Sequence, residues 1–265
     1  FNGAGVRPPV VRNLLDRVRD GADVMPEWQL QRTLQDQLGD EWRAHLTEFE
    51  EAPIAAASIG QVHHATLLDG RRVALKVQYP GVSDSIASDL WSMRQLVERT
   101  GVVPRGLFLD RVLDVAREEL IEECDYVNEA ANTRDFKRLL APYPEFSVPA
   151  VVPQLSAARV LCTEWMPGKP LDKAAADGMP ASERDRVGAR LLWLTLTELF
   201  THRFMQTDPN WSNFLYDQRT RQLSLIDFGA CRRYDRAFCD DYLRLVRACA
   251  DGAERRDELL HFSHT

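Results

Sequence analysis

The chain has 265 residues, 45% of them hydrophobic, and carries 33 basic against 40 acidic side chains for a formal charge of −7 at pH 7. That much apolar material builds one large domain or two packed lobes, which excludes a disordered chain. The acidic balance, with no basic run longer than Arg232-Arg233 or Arg255-Arg256, argues against a nucleic-acid partner.

The five cysteines, Cys124, Cys162, Cys231, Cys239 and Cys249, include no Cys-x-x-Cys pair and none at zinc-finger spacing from a histidine. They read as free thiols in a reducing compartment. The six histidines are scattered, and His63 and His64 would face opposite ways on a strand, so a metal-histidine site has little support. No apolar run approaches the ~20 residues of a membrane span; the densest, Leu191 to Phe200, contains Glu198. The chain opens on Phe1 without a signal or transit sequence and reads as a piece of a longer protein.

Residues 10–50 carry helical apolar spacing (Val11, Leu14, Leu15, Val18, then Leu30, Leu34, Leu38), broken at Met25-Pro26 and Gly39, which predicts two or three helices. Ser58–Leu68 and Arg71–Gln78 predict two strands joined through Asp69-Gly70 by a two-residue turn. From Ser83 to Leu140 the pattern is helical, interrupted near Gly101–Pro104 and Gly106. Val148–Thr163 reads as short strands. After a turn at Gly168, Ser182-x-x-Asp185 resembles a capping box ahead of a buried helix, Val187 to Phe200. Phe214–Tyr216 and Gln222–Ile226 form a second hairpin around Asp217–Arg221, with a helix from about Phe238.

Within the first hairpin Val73, Leu75 and Val77 alternate onto one face, leaving Ala74 and Lys76 on the other. A small Ala74 leaves room for a flat ring, and the Lys76 ammonium suits phosphate oxygens, although a solvated strand lysine has the same pattern. The preceding turn, Pro53 to Val62, is rich in alanine where a kinase carries its glycine-rich phosphate loop; three alanines favour a helical turn, and a helix end packed on a strand is the alternative. Acidic residues crowd a later helix against an apolar line of Leu113, Ala116, Leu120, Cys124, Val127 and Ala131. Among them Glu129 is a candidate partner for Lys76. Glu123 and Asp125 lie about 200° apart on a regular helix, so they share a site only if the helix breaks there.

The decisive segment is Asp208-Pro-Asn-Trp-Ser-Asn213, followed by the second hairpin and Asp227-Phe228-Gly229. An Asp-x4-Asn loop ahead of Asp-Phe-Gly is the kinase catalytic arrangement: Asp208 orients or deprotonates the attacking group, and Asn213 and Asp227 offer hard oxygen ligands to Mg²⁺. The element order predicts an α+β, bilobal protein-kinase-like fold with extra N-terminal and inserted helices. Residues 1–50 would form a helical extension, 51–166 a first lobe and 167–265 a second.

Four segments, Ala55–His63, Val73–Gly81, Glu122–Tyr126 with Glu129-Ala130, and Met205–Phe214, together resemble the ADCK/UbiB atypical kinases. The Gln-Thr-Asp-Pro-Asn-Trp wording resembles the mitochondrial coenzyme Q branch. That resemblance implies an ATP/ADP site with Mg²⁺. Ala55, Ala56, Ala57 and Ser58 would stand in the phosphate loop, with Val62 and Ala74 beside it. Lys76 would be the catalytic nucleotide lysine and Glu129 its helix partner, and Glu123 and Asp125 would lie near the nucleotide. Glu164 and Met166 belong to the hinge that receives adenine. Asp208 would be the catalytic aspartate, Asn213 and Asp227 the metal ligands. It also implies coenzyme Q biosynthetic proteins and membrane lipid or quinone intermediates as partners, on the matrix side of a mitochondrial membrane.

The family's Lys-x-Gly-Gln signature is absent, as though the chain begins just after it, and its C-terminal helices look cut short at Thr265. No Ala-Pro-Glu follows Gly229, so the platform for a peptide substrate is missing. This favours ATP hydrolysis or a small or lipidic acceptor; a conventional protein kinase and a nucleotide-gated scaffold without turnover are the alternatives.

Overall fold

The computed structural model describes residues 24–57, 59–100, 109–208 and 210–250. In chain order it begins with helix α1 (Glu27–Leu38) and strands β1 (Leu46–Phe49), β2 (Ala55–Ala57), β3 (Gly60–Leu67) and β4 (Arg72–Gln78). Helices α2 (Val82–Thr100), α3 (Leu109–Glu123) and α4 (Tyr126–Leu140) follow, then β5 (Phe146–Ser147) and β6 (Val160–Glu164). The remainder is β7 (Lys169–Pro170), α5 (Leu171–Ala176), α6 (Ala181–Leu196), a π turn at Thr197–His202, β8 (Phe204–Gln206), β9 (Phe214–Asp217), β10 (Gln222–Leu225), β11 (Cys231–Arg233) and α7 (Arg236–Ala250). The helical spacing at Val11 to Val18, Ser58, and the Gly101–Pro104 and Gly106 interruptions lie outside the described residues. Among the described residues no helix is long and apolar enough to cross a membrane.

Two compact units emerge, residues 1–138 with 148–166 and residues 139–147 with 167–265. The first is built on a five-stranded antiparallel sheet ordered β1-β3-β4-β6, with β2 paired to the same edge of β3 as β1. Val73, Leu75 and Val77 are fully buried on one face, against Leu30 and Leu34 of α1, Trp42, and Val160 and Cys162 of β6. At ~1.5–3 kcal/mol per buried aliphatic side chain, this face makes a substantial contribution to the unit's stability. The alternate residues serve the other face, where Leu161 packs with Ile59, Tyr126 and Ala130.

Several expectations are corrected here. The β3–β4 connection is a three-residue loop: Gly70 N–H donates to Leu67 C=O and Leu67 N–H to Arg71 C=O, and only Gly70, at φ +84°, is left-handed. A two-residue type I′ turn needs positive φ at both central positions, and Asp69 does not supply it. The alanine-rich segment is not a helical turn but strand β2, in register Ala55↔Val62, Ala56↔Gln61 and Ala57↔Gly60. Helix propensity is worth tenths of a kcal/mol per residue, less than a paired sheet edge. Gly60 permits this hairpin to close on β4: a Cβ there would stand 2.3 Å from Val77 O.

The acidic helix also departs from its single apolar line. It stops at Glu123 and restarts at Tyr126, which turns Val127 and Ala131 outward. Asp125 caps the new helix, its carboxylate accepting the Asn128 N–H at 2.9 Å and its carbonyl the Glu129 N–H at 3.0 Å.

In the second unit the hairpin β9–β10 is flanked by β5, parallel to β10, and by β7. The expected turn at Gly168 is present at φ +117°, and a Cβ there would meet Tyr216 C at 2.8 Å. Ser182 is not the helix cap: α6 begins at Ala181 behind Pro180, whose ring presets φ at −56°. Nor is α6 buried all round, for Leu192 (62%), Trp193 (40%) and Leu196 (44%) are exposed while Val187 and Leu194 face the core. Short strands β8 and β11 pair antiparallel, Gln206 opposite Cys231.

Candidate functional site

The register of the first sheet sets Ala55, Val62 and Lys76 side by side on β2, β3 and β4, with Leu161 of β6 next in the row. Cross-strand partners share a face, so a small residue, a branched one and a cation line one surface. Ala74 stands two residues back on that face beside His64 and Thr163. Helix α4 brings Glu129 to Lys76: both carboxylate oxygens lie 3.0 Å from Nζ, at 2% and 14% side-chain exposure. The ammonium also sits 5.0 Å from the centroid of the Tyr126 ring, a cation–π contact that the sequence reading missed.

Glu123 and Asp125 fall at the α3–α4 break, the geometry required for them to share a site. Gln78, another residue missed in sequence, donates from Nε2 to the Cys124 carbonyl between them at 3.0 Å. Alternation along β4 puts Gln78 on the Lys76 face, and that was the available signal. Glu164 ends β6 exposed, its carboxylate accepting the Ala150 N–H at 3.2 Å and its own N–H donating to Ala150 C=O at 2.8 Å. Trp165 N–H donates to Arg72 C=O at 2.9 Å, and half-buried Met166 follows.

The second unit gathers the remaining three residues. Asn213 Nδ2 donates to Asp208 Oδ2 at 2.7 Å, and Asp208 Oδ1 accepts the Asn210 N–H at 3.2 Å. Asn213 C=O accepts the Ile226 N–H at 3.1 Å, which ties the loop to the residue before Asp227. Asp227 Oδ1 accepts the Gly229 N–H at 3.0 Å, forming the turn of Asp-Phe-Gly, while Phe228 is fully buried. Gln206 supports this turn from β8 by donating its side-chain amide to Asp227 C=O.

Gln206 is in turn held by a buried acid. Its backbone N–H donates to Glu198 Oε2 at 3.3 Å, whereas Glu198 Oε1 has no hydrogen-bond partner among the described residues. Glu198 is 3% exposed on the π turn, and burial pushes its carboxyl up to about 8 against the lowering effect of the Gln206 bond. π turns are frequent at functional sites.

The donor set suits a hard cation: with the Asn213 amide nitrogen engaged by Asp208, its oxygen is the atom left for a metal, alongside the Asp227 carboxylate. Among the described residues no group of three or more His, Cys, Asp or Glu could hold a metal. Any cation here needs further oxygens from its ligand, as Mg²⁺ takes them from nucleotide phosphates.

A lysine on a central strand paired to a helix glutamate, together with an aspartate–asparagine loop hydrogen-bonded ahead of Asp-Phe-Gly, places the molecule in the protein-kinase-like α+β class. The chain belongs to the ABC1 atypical kinase-like domain family, whose model matches residues 17–257. It is 46% identical over 255 residues to the atypical kinase COQ8B, mitochondrial, of Rattus norvegicus, covering 96% of this chain and 48% of that protein. It is 43% identical to the atypical kinase coq-8, mitochondrial, of Caenorhabditis elegans (94% and 33% covered). To the atypical kinase COQ8, mitochondrial, of Saccharomyces cerevisiae it is 39% identical (93% and 49% covered). The chain thus spans half or less of these relatives' length. Among solved structures it matches Rv3197 of Mycobacterium tuberculosis, described in complex with erythromycin, at TM-score 0.72 and 32% identity, covering 95% of this chain and 62% of that one.

Proposed function

We propose that this domain binds ATP or ADP with Mg²⁺ and turns ATP over in support of coenzyme Q biosynthesis, by hydrolysis or by transfer to a small or lipid-linked acceptor. The observation that carries the reading is the Asp208–Asn213 bond at 2.7 Å with Asp227 anchored to the same loop, since it assembles an acid and two oxygen donors in one place. Asn213 and Asp227 would hold the cation, which when bound screens the phosphate charges. Asp208 orients the attacking hydroxyl or water and accepts its proton. Lys76, oriented by Glu129, meets phosphate oxygens; Ala55, Ala56 and Ala57 stand over them, and Val62 and Ala74 accept the base. Glu123 and Asp125 lie near the nucleotide, and Glu164 and Met166 bracket the adenine edge.

The coenzyme Q role, and a matrix-side mitochondrial membrane location among coenzyme Q biosynthetic proteins and quinone or lipid intermediates, rest on the names of the COQ8 relatives. Phosphate release by the purified protein, with Asp227→Asn as control, tests the activity. Mg²⁺-dependent release that the substitution abolishes is expected; equal release from both proteins would overturn the reading.

A further inference from the structure

Gln78 is a buried polar side chain, 2% exposed, that the reaction itself does not use. It occupies a junction in the first unit. Its backbone pairs with Gly60 at the close of the alanine-rich hairpin, and its N–H donates to Arg159 C=O at 3.0 Å ahead of β6. Its side chain reaches the Cys124 carbonyl at 3.0 Å. That carbonyl lies at the end of α3, where helical acceptors lack intrahelical donors and must find one elsewhere.

The same strand is joined a second time, now to α4 beyond the break, by Lys76 and Glu129. Residues 76 and 78 lie roughly 6.6 Å apart along a strand. Cys124 lies at the break and Glu129 in the first turn of the helix that follows it. The two rungs therefore hold the chain on both sides of the Asp125 cap. A helix start held by one ion pair can pivot about it, whereas a second hold on the turn just before it limits that pivot.

We propose that Gln78 is a positioning residue which, by gripping Cys124, fixes the Glu123–Asp125 turn beside Lys76 and so sets how tightly the nucleotide is held. The role rests on the nucleotide reading above. It acts through the turn, not by touching nucleotide.

The test is a double-mutant cycle in the full chain. Gln78→Met keeps the reach and removes the donor, and Gln78→Leu removes it with a different shape, so that a packing failure in one does not decide the outcome. Each is combined with Glu123→Gln/Asp125→Asn. Dissociation constants for ATP·Mg²⁺ and ADP·Mg²⁺ are measured by calorimetry at a temperature where circular dichroism shows the variants folded. We expect about tenfold weaker binding for at least one nucleotide, a loss of roughly one hydrogen bond. In the Glu123→Gln/Asp125→Asn background that loss should vanish, which a merely structural role would not produce. Unchanged affinity, or a loss that simply adds in the double background, overturns the positioning role while leaving nucleotide binding intact. Wild-type protein that binds neither nucleotide overturns the function proposed above and this role with it.

Discussion

Glu129 sets both carboxylate oxygens 3.0 Å from the Lys76 ammonium, joining the middle of a central strand to the first turn of α4. Both side chains are largely withdrawn from water, at 14% and 2% exposure, so each carries a desolvation cost that its partner offsets. Glu129→Leu should destabilise the protein by roughly 3 kcal/mol, because it strips this carboxylate from a largely buried cation. Adding Lys76→Met should restore part of that loss. Urea titrations of the single and double variants check it; strictly additive losses would mean that the pair contributes no coupling.

A pH dependence follows from Glu198. Its folded carboxyl titrates near 8 against an ordinary value of 4.5. Between those values the native state holds a proton that the unfolded chain has released, so stability falls as pH rises from about 5 to about 8 and levels off above. The full span is on the order of 5 kcal/mol. Glu198→Gln keeps an oxygen for the Gln206 N–H and removes the titration. The urea midpoint of the variant should therefore gain on wild type with rising pH, and parallel profiles at pH 5, 6.5, 8 and 9 would refute the assignment.

Two glycines should respond in opposite directions to alanine. At Gly60 the added Cβ would meet backbone, 2.3 Å from Val77 O, and the β3–β4 register leaves it nowhere to move. Overpacking of this kind costs about 1–3 kcal/mol or more. Gly188 sits inside α6 with open space above it, where alanine gains roughly 0.5–1 kcal/mol. Thermal melts of Gly60→Ala and Gly188→Ala should move down and up respectively.

Asp208→Asn should not behave as a conservative change. The two Asp208 oxygens accept from different donors, Asn210 N–H and Asn213 Nδ2, and an asparagine amide must turn its own donor toward one of them. We expect turnover to be lost together with faster amide hydrogen exchange across residues 210–213. Unaltered exchange with lost turnover would assign the effect to proton transfer alone.

Sequence alone determined the parts whose physics is local. The alternation of Val73, Leu75 and Val77 specified a half-buried strand with Lys76 on its other face, since side chains on a strand point alternately up and down. The Asp208-x4-Asn213 spacing and Asp227-Phe228-Gly229 identified the loop and turn that prove to be hydrogen-bonded together. Tertiary structure decided what depends on partners distant in the chain. Ala55–Ala57 became a strand because the edge of β3 was available to pair, and a preference worth tenths of a kcal/mol could not resist it. The acidic helix broke at Cys124 and Asp125 where a cap and the Gln78 side chain accept the break, and α6 kept Leu192 and Leu196 exposed because its core face carries Val187 and Leu194. Gln78, Gln206 and Glu198 escaped the sequence reading for one reason: each acts on a backbone group elsewhere in the chain, and a backbone carbonyl or N–H leaves no mark in the order of side chains.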